Sequence, residues 1–271
     1  MRNVIDICLK DEDYYEKFSM FTRLKDSFKT KLYNECVINE LNTKISFVKI
    51  PANINKLAYE HNVANAVNKF KLNNSIISIN GRRDYDSRFL SKEQKRYLAF
   101  SIVESIRLIL LRKQKSIRNA NILVDDGAKK ENRYIIEELA KEARNIIIST
   151  KLVNKVDKLR EYIISNYGTT IQIVNNINDF RNIDFIISSE RRNYNNSNVW
   201  YLDNFYNPKE DGLFVNKVTF KVPWESCINE YSPELLGAIL KTKGKQSIKE
   251  ILIENDIIIE QISFNSKDIA I

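Results

Sequence analysis

NILVD (Asn121–Asp125), NIIIS (Asn145–Ser149), TIQIV (Thr170–Val174) and IDFIIS (Ile183–Ser188) are four short apolar runs rich in Ile and Val. Each is too short for a helix and bounded by polar or turn residues, so each predicts a β-strand. The segments between them change period. Glu131–Ala143 places Tyr134, Ile135, Leu139 and Ala143 about one helical turn apart. Val156–Asn166 places Val156, Leu159, Ile163 and Ile164 on one face, with Gly168 just past its end as a helix stop. A short helix is expected between Val174 and Ile183. Continuous apolar strands alternating with helices predict a parallel sheet buried on both faces, and therefore an α/β fold over residues 119–190.

Upstream, Ser91-Lys-Glu-Gln94 has the form of a capping box opening the long helix Lys92–Arg112, whose buried face would hold Tyr97, Leu98, Ile102, Val103, Ile106, Ile109 and Leu110. RKQKSIR (Arg112–Arg118) closes that helix with positive charge, favourable at a C-terminus. Nearer the start, Asp11–Leu41 reads as helical, with Tyr14, Phe18, Phe21, Leu24 and Phe28 packing into the core. KISFVKI (Lys44–Ile50) and NSIISIN (Asn74–Asn80) read as strands, and Asn55–Phe70 as a helix whose histidine, His61, has no evident catalytic companion. GRRDYDSR (Gly81–Arg88) reads as an exposed charged loop. Downstream, ERRNYNNSN (Glu190–Asn198) is turn-rich. VWYLD (Val199–Asp203) and FVNKVTFKV (Phe214–Val222) read as strands. Ser232-Pro233-Glu234 starts a helix over Leu235–Lys241, and Ser247-Ile-Lys-Glu250 is a second capping box opening Ile248–Glu254. DIIIEQISF (Asp256–Phe264) reads as an added edge strand. These elements divide into a mixed α/β region, 1–118, and a parallel-sheet domain, 119–271.

The chain has 271 residues, 43% hydrophobic and 29% charged, enough to bury a core. No apolar run reaches the roughly 18 residues of a bilayer span. The acidic N-terminal stretch does not resemble a signal peptide. The expectation is a cytoplasmic protein without a membrane partner, its three scattered cysteines reduced and packed. The net charge of +8 is spread along the chain without a long basic block or a recognisable module, which argues against nucleic acid. A nucleotide or small anion is the expected partner, and a homo-oligomer stays open. Asp125 and Asp126 lack a third oxygen ligand nearby in sequence, so no metal site is assigned.

The order strand, glycine turn, EELAKEA helix, strand, NKVDKLREYI helix, strand and NDFRNIDFIISS resembles the dinucleotide-binding half of the shikimate dehydrogenase and glutamyl-tRNA reductase group. The resemblance implies a Rossmann-like domain with a cofactor crevice at the strand ends. Ser149, Thr150 and Lys151 stand where that group has an Asn-Arg-Thr triplet or similar, and Ser188 ends the strand that would lie beneath a nicotinamide. The place of the acid that accepts a ribose 2′-hydroxyl holds Ser149, Thr150 and Lys151 instead, so the cofactor, if any, is NADP. One departure dominates. The group's turn is G-x-G-x-x-G or close to it, whereas this chain has Asp125, Asp126 and Gly127 there. Neither the lysine segment of shikimate-type enzymes nor a cysteine nucleophile motif is found, so no catalytic residue is assigned. The leading expectation is a degenerate dinucleotide site in a binding or regulatory protein. Two alternatives stay open: an active NAD(P)-dependent oxidoreductase with an altered turn, and an interaction protein using Arg82–Arg83 and Arg191–Arg192.

Overall fold

The computed structural model describes residues 1–10, 12–70, 75–176, 182–195, 198–209, 211–225, 228, 230–240, 246–265 and 267–269. In chain order these form β1 (Arg2–Leu9), α1 (Met20–Lys29), β2 (Lys31–Ile38), β3 (Thr43–Ile50), α2 (Lys56–Phe70), β4 (Ile76–Asn80), α3 (Arg83–Asp86) and α4 (Lys92–Arg112). Then come β5 (Asn121–Asp125), α5 (Asn132–Leu139), β6 (Asn145–Ser149), α6 (Val153–Tyr167), β7 (Thr170–Val174), β8 (Phe185–Ser188), β9 (Asn198–Tyr201) and β10 (Leu213–Val215). The chain closes with β11 (Lys217–Lys221), α7 (Pro233–Ile239), α8 (Ile248–Glu254), β12 (Ile258–Phe264) and β13 (Lys267–Asp268). They are divided between two compact units that are discontinuous in sequence: Met1–Gln94 with Phe220–Ile258, and Lys95–Thr219 with Ile259–Ile271.

The second unit holds the six-stranded sheet in the order β10-β9-β8-β5-β6-β7. Every pairing in it is parallel. Read from the other edge, this is the strand order of doubly wound dinucleotide-binding folds, with the reversal between β5 and β8. The mixed α/β class and parallel sheet expected from the apolar runs are therefore found. The core of this unit joins Leu123, Ile147, Ile186, Tyr194, Val199 and Tyr201. Gly168 caps α6 in the left-handed conformation, φ 66°, its amide donating to the Ile164 carbonyl at 3.0 Å. The short helix expected between Val174 and Ile183 falls on 177–181, outside the described residues.

The first unit carries a four-stranded sheet, β2-β3-β1-β4, parallel except for the antiparallel edge strand β2. Ile5, Ile7, Val48, Ile50 and Ile79 face Tyr59, Val63 and Ala66 of α2. The three helix starts expected from Ser91, Ser232 and Ser247 form as expected, each hydroxyl accepting an amide at N3.

Five expectations are corrected. Asp11–Leu41 is not one helix: α1 ends at Lys29, Thr30 turns extended, and the β-branched and aromatic segment after it pairs with β3 as β2. The aromatic stripe of this segment does not enter the core. Asp26 is buried instead, accepting hydrogen bonds from Tyr15, from Asn53 at 3.0 Å and from Asn62 at 3.2 Å. FVNKVTFKV divides at Asn216, whose side chain and amide bond Asn265 and the Ser263 carbonyl, so β10 and β11 enter different sheets. The last strand, β12, is central in the small sheet β11-β12-β13 rather than an edge. Cys36 is disulfide-bonded, so the expectation of reduced cysteines does not hold for it.

Candidate functional site

In a parallel sheet the ligand crevice lies beyond the carboxyl ends of the strands, at the point where strand order reverses. Here a cleft of about 660 Å³ opens at those ends, lined by Asp125, Asp126, Ser149, Thr150, Lys151 and Arg192, with Asn175, Asn176 and Glu190 beside them. Five of the seven residues predicted from sequence thus share one cleft. Gly127 and Ser188 do not line it. Ser188 is buried and bonded to the Tyr194 hydroxyl at 2.7 Å and the Glu190 carbonyl at 3.0 Å, which makes it a support for the wall. Gly127 is set by packing: a Cβ there would sit 2.4 Å from Ile148 Cγ2.

The turn after β5 decides what the cleft can hold. Asp126 is in the left-handed region at φ 50°, a conformation Asp tolerates better than most residues. Its amide donates to Asp125 Oδ1 at 3.0 Å, and the Gly127 amide donates to the Ser149 carbonyl at 3.2 Å. The Lys129 amide closes on the Asp126 carbonyl at 3.0 Å, and the Asn132 side-chain amide ties the Asp125 and Asp126 carbonyls at 3.2 and 2.9 Å. Three amides of this turn, those of Asp126, Gly127 and Lys129, are therefore committed within the protein.

Asp125 is also spoken for. Its Oδ2 accepts from Tyr194, and Arg192 lies 3.8 Å away. Burial first, then the neighbouring Asp125 carboxylate, pushes the Tyr194 phenol well up, so it stays a donor to that carboxylate. Lys129 pairs with Glu190 and lies 3.7 Å from Asp126. At the end of β6, Thr150 accepts the Leu152 amide at 3.1 Å, turning the chain into α6 and leaving Lys151 exposed on the rim. Glu190 and Tyr194 were not predicted from sequence, and Arg192 was singled out only as part of a basic interaction loop. Their signal was positional: they follow directly on a strand whose end faces the crevice. Among the described residues no group of three or more His, Cys, Asp or Glu side chains is placed to hold a metal ion.

A second polar cluster lies in the first unit, where the sequence suggested an exposed basic loop. Arg82 is instead buried, bound to Asp84 at 2.8 Å and the Ile54 carbonyl at 3.1 Å, and Arg83 pairs with buried Glu234 at 3.0 Å. Asp86 accepts from Tyr59 and from the Gly81 amide at 3.2 Å. Burial pushes Asp86 up to about 7, against the lowering effect of those two donors. Burial likewise pushes Asp6 up to about 6, and Glu234 adds to the rise. Ser78 opposes Asp6 in the β1–β4 register and holds it down partly, its hydroxyl short of a completed hydrogen bond.

No family model matches the chain, and no curated protein matches it. Solved structures with similar folds include a shikimate dehydrogenase in complex with NADP+, 14% identical over 78% of this chain and 84% of that one, TM-score 0.37. A ligand-free 5-ketofructose reductase from Gluconobacter is 11% identical over 70% of this chain and 69% of that one, TM-score 0.33. An L-tryptophan dehydrogenase from Nostoc punctiforme is 8% identical over 69% of this chain and 54% of that one, TM-score 0.30. Among the described residues no helix is long and apolar enough to cross a membrane.

Proposed function

We propose that the cleft is a degenerate dinucleotide site in a protein with a binding or regulatory role. It has lost the pyrophosphate cradle and keeps the rim that would meet an adenosine phosphate. The observation that carries this reading is the internal commitment of the Asp126, Gly127 and Lys129 amides, beside the Asp125 carboxylate held by Tyr194. A dinucleotide gains much of its affinity where a turn presents free amides at a helix start, and that source is missing. Ser149, Thr150 and Lys151 remain, with Arg192 across the cleft. A lysine at that place meets a 2′-phosphate as a point charge, so NADP is preferred over NAD, and a smaller phosphorylated adenosine should serve as well. Competition calorimetry tests the preference: equal or tighter NAD binding would remove it.

An active oxidoreductase with an altered turn is the second reading, favoured by the clustering of five predicted residues in one cleft. Hydride transfer from NADPH to any of a panel of small ketones would establish it. A cytoplasmic setting belongs to the leading reading, and Cys36 tests it, because disulfides are rare in reducing compartments. Alkylation of denatured, unreduced protein from its native cell should label Cys36 if the setting is cytoplasmic. A Cys36 that stays unlabelled until the protein is reduced would move the protein to an oxidising compartment.

A further inference from the structure

Helix α1 is amphipathic, yet it faces the wrong way for a core helix. Its polar side is the one held against the protein: Asp26 is buried, bonded by Tyr15, Asn53 and Asn62, and Ser27 accepts from the Asn65 side chain at 3.0 Å. Its apolar side points to solvent, with Phe21 83%, Phe28 79%, Met20 74% and Leu24 52% exposed. A helix this short forms stably only through tertiary support, and here the support is polar. The outward apolar residues contribute nothing to it.

We propose that this outward face of α1 is a self-association surface joining two copies of the chain. Three observations select a second copy. Phe21, Leu24 and Phe28 are spaced three and four apart, the seam spacing by which one helix packs against another. With Phe18 and Tyr14 beside them the exposed side chains offer on the order of 700 Å² of surface, counting each ring at roughly 150–250 Å². That is close to the roughly 800 Å² per partner of a stable interface, and larger than the few hundred Å² that monomers usually expose. The seam is also flanked by charges of both signs, Glu12, Asp13 and Glu16 with Lys17, Arg23, Lys25 and Lys29, Glu12 being paired with Lys29 at 3.1 Å. Mixed charge suits the polar rim of a protein interface. A two-fold pairing needs only the one patch, used by both copies.

Sedimentation equilibrium of the full chain tests the proposal. The expected result is a dimer mass at about 50 µM, well above a micromolar dissociation constant. Leu24→Glu and, separately, Phe28→Ser should weaken association at least tenfold while the circular dichroism spectrum and the melting of the monomer stay unchanged, since neither side chain is buried within the chain. A monomeric wild type at that concentration overturns the proposal, as does a Leu24→Glu protein that remains dimeric. Anionic phosphatidylserine vesicles are the control. Monomer that co-sediments with them through Phe21 and Phe28, with no dimer in their absence, would assign the face to lipid and overturn self-association.

Discussion

At the scale of single residues, Gly127, Asp126 and Lys151 separate what the site needs for folding from what it needs for binding. Gly127 is required by packing, since an added Cβ would meet Ile148 Cγ2 at 2.4 Å. Gly127→Ala should lower stability by about 1–3 kcal/mol in urea unfolding, the usual range for overpacking. Loss of ligand response without loss of stability would instead mean that Gly127 acts as a phosphate-approach glycine. Asp126 carries the positive φ in this turn, and its carboxylate lies on the cleft. Asp126→Gly removes both a left-handed side chain and a negative charge. It should leave stability within about 1 kcal/mol and strengthen nucleotide binding. Weakened binding would show the carboxylate to be a ligand-contacting group. Lys151→Ala should weaken a 2′-phosphorylated adenosine about tenfold, in line with one lost charge-assisted contact, with no change in melting temperature.

Among elements, β5 to β8 could be read directly from the sequence, because strands buried on both faces leave continuous Ile and Val runs. Helix starts at Ser91, Ser232 and Ser247 were legible for a similar reason: the capping residue and its amide are three apart in sequence. The direction a helix faces is not written that way. Phe21, Leu24 and Phe28 show a 3.6-residue period whether the stripe points inward or outward, and only the bonds to Asp26 from Tyr15, Asn53 and Asn62 decide it. The alternation of FVNKVTFKV likewise runs straight through Asn216, where the chain changes sheets. Asp126 holds a positive φ in the turn after β5, which no periodicity reveals. The C-terminus of α6 offers a clean test of local reading. Gly168 is left-handed with open space around its missing Cβ. Gly168→Ala should therefore cost only the backbone strain, about 1–2 kcal/mol, seen as a lower melting temperature. A neutral result would mean the turn relaxes.

For the molecule as a whole, the buried acids of the first unit predict how stability follows pH. Asp6 and Asp86 are pushed from 3.8 up to about 6 and about 7. A carboxyl with a raised folded-state pKa holds its proton longer in the native state than in the unfolded chain. Its contribution is then full below about pH 4 and is lost as pH rises through 6 and 7, at about 1.4 kcal/mol for each pH unit in which only the native state holds the proton. Urea midpoints should fall between pH 4 and pH 8, and Asp6→Asn should recover part of the loss at pH 8 with little effect below about pH 4. A flat profile would show that Arg83 and the surrounding donors keep both acids ionised.

The most direct test of the degenerate site compares NADP with its fragment adenosine 2′,5′-bisphosphate by calorimetry on the wild-type chain. Where a pyrophosphate cradle works, the dinucleotide should bind far more tightly than the fragment. Here the Asp126, Gly127 and Lys129 amides are bonded to Asp125, Ser149 and Asp126, so the second nucleotide should add nothing. The predicted result is fragment binding equal to or tighter than NADP. NADP binding a hundredfold tighter, worth about 2.7 kcal/mol, would contradict the account and restore a working dinucleotide site.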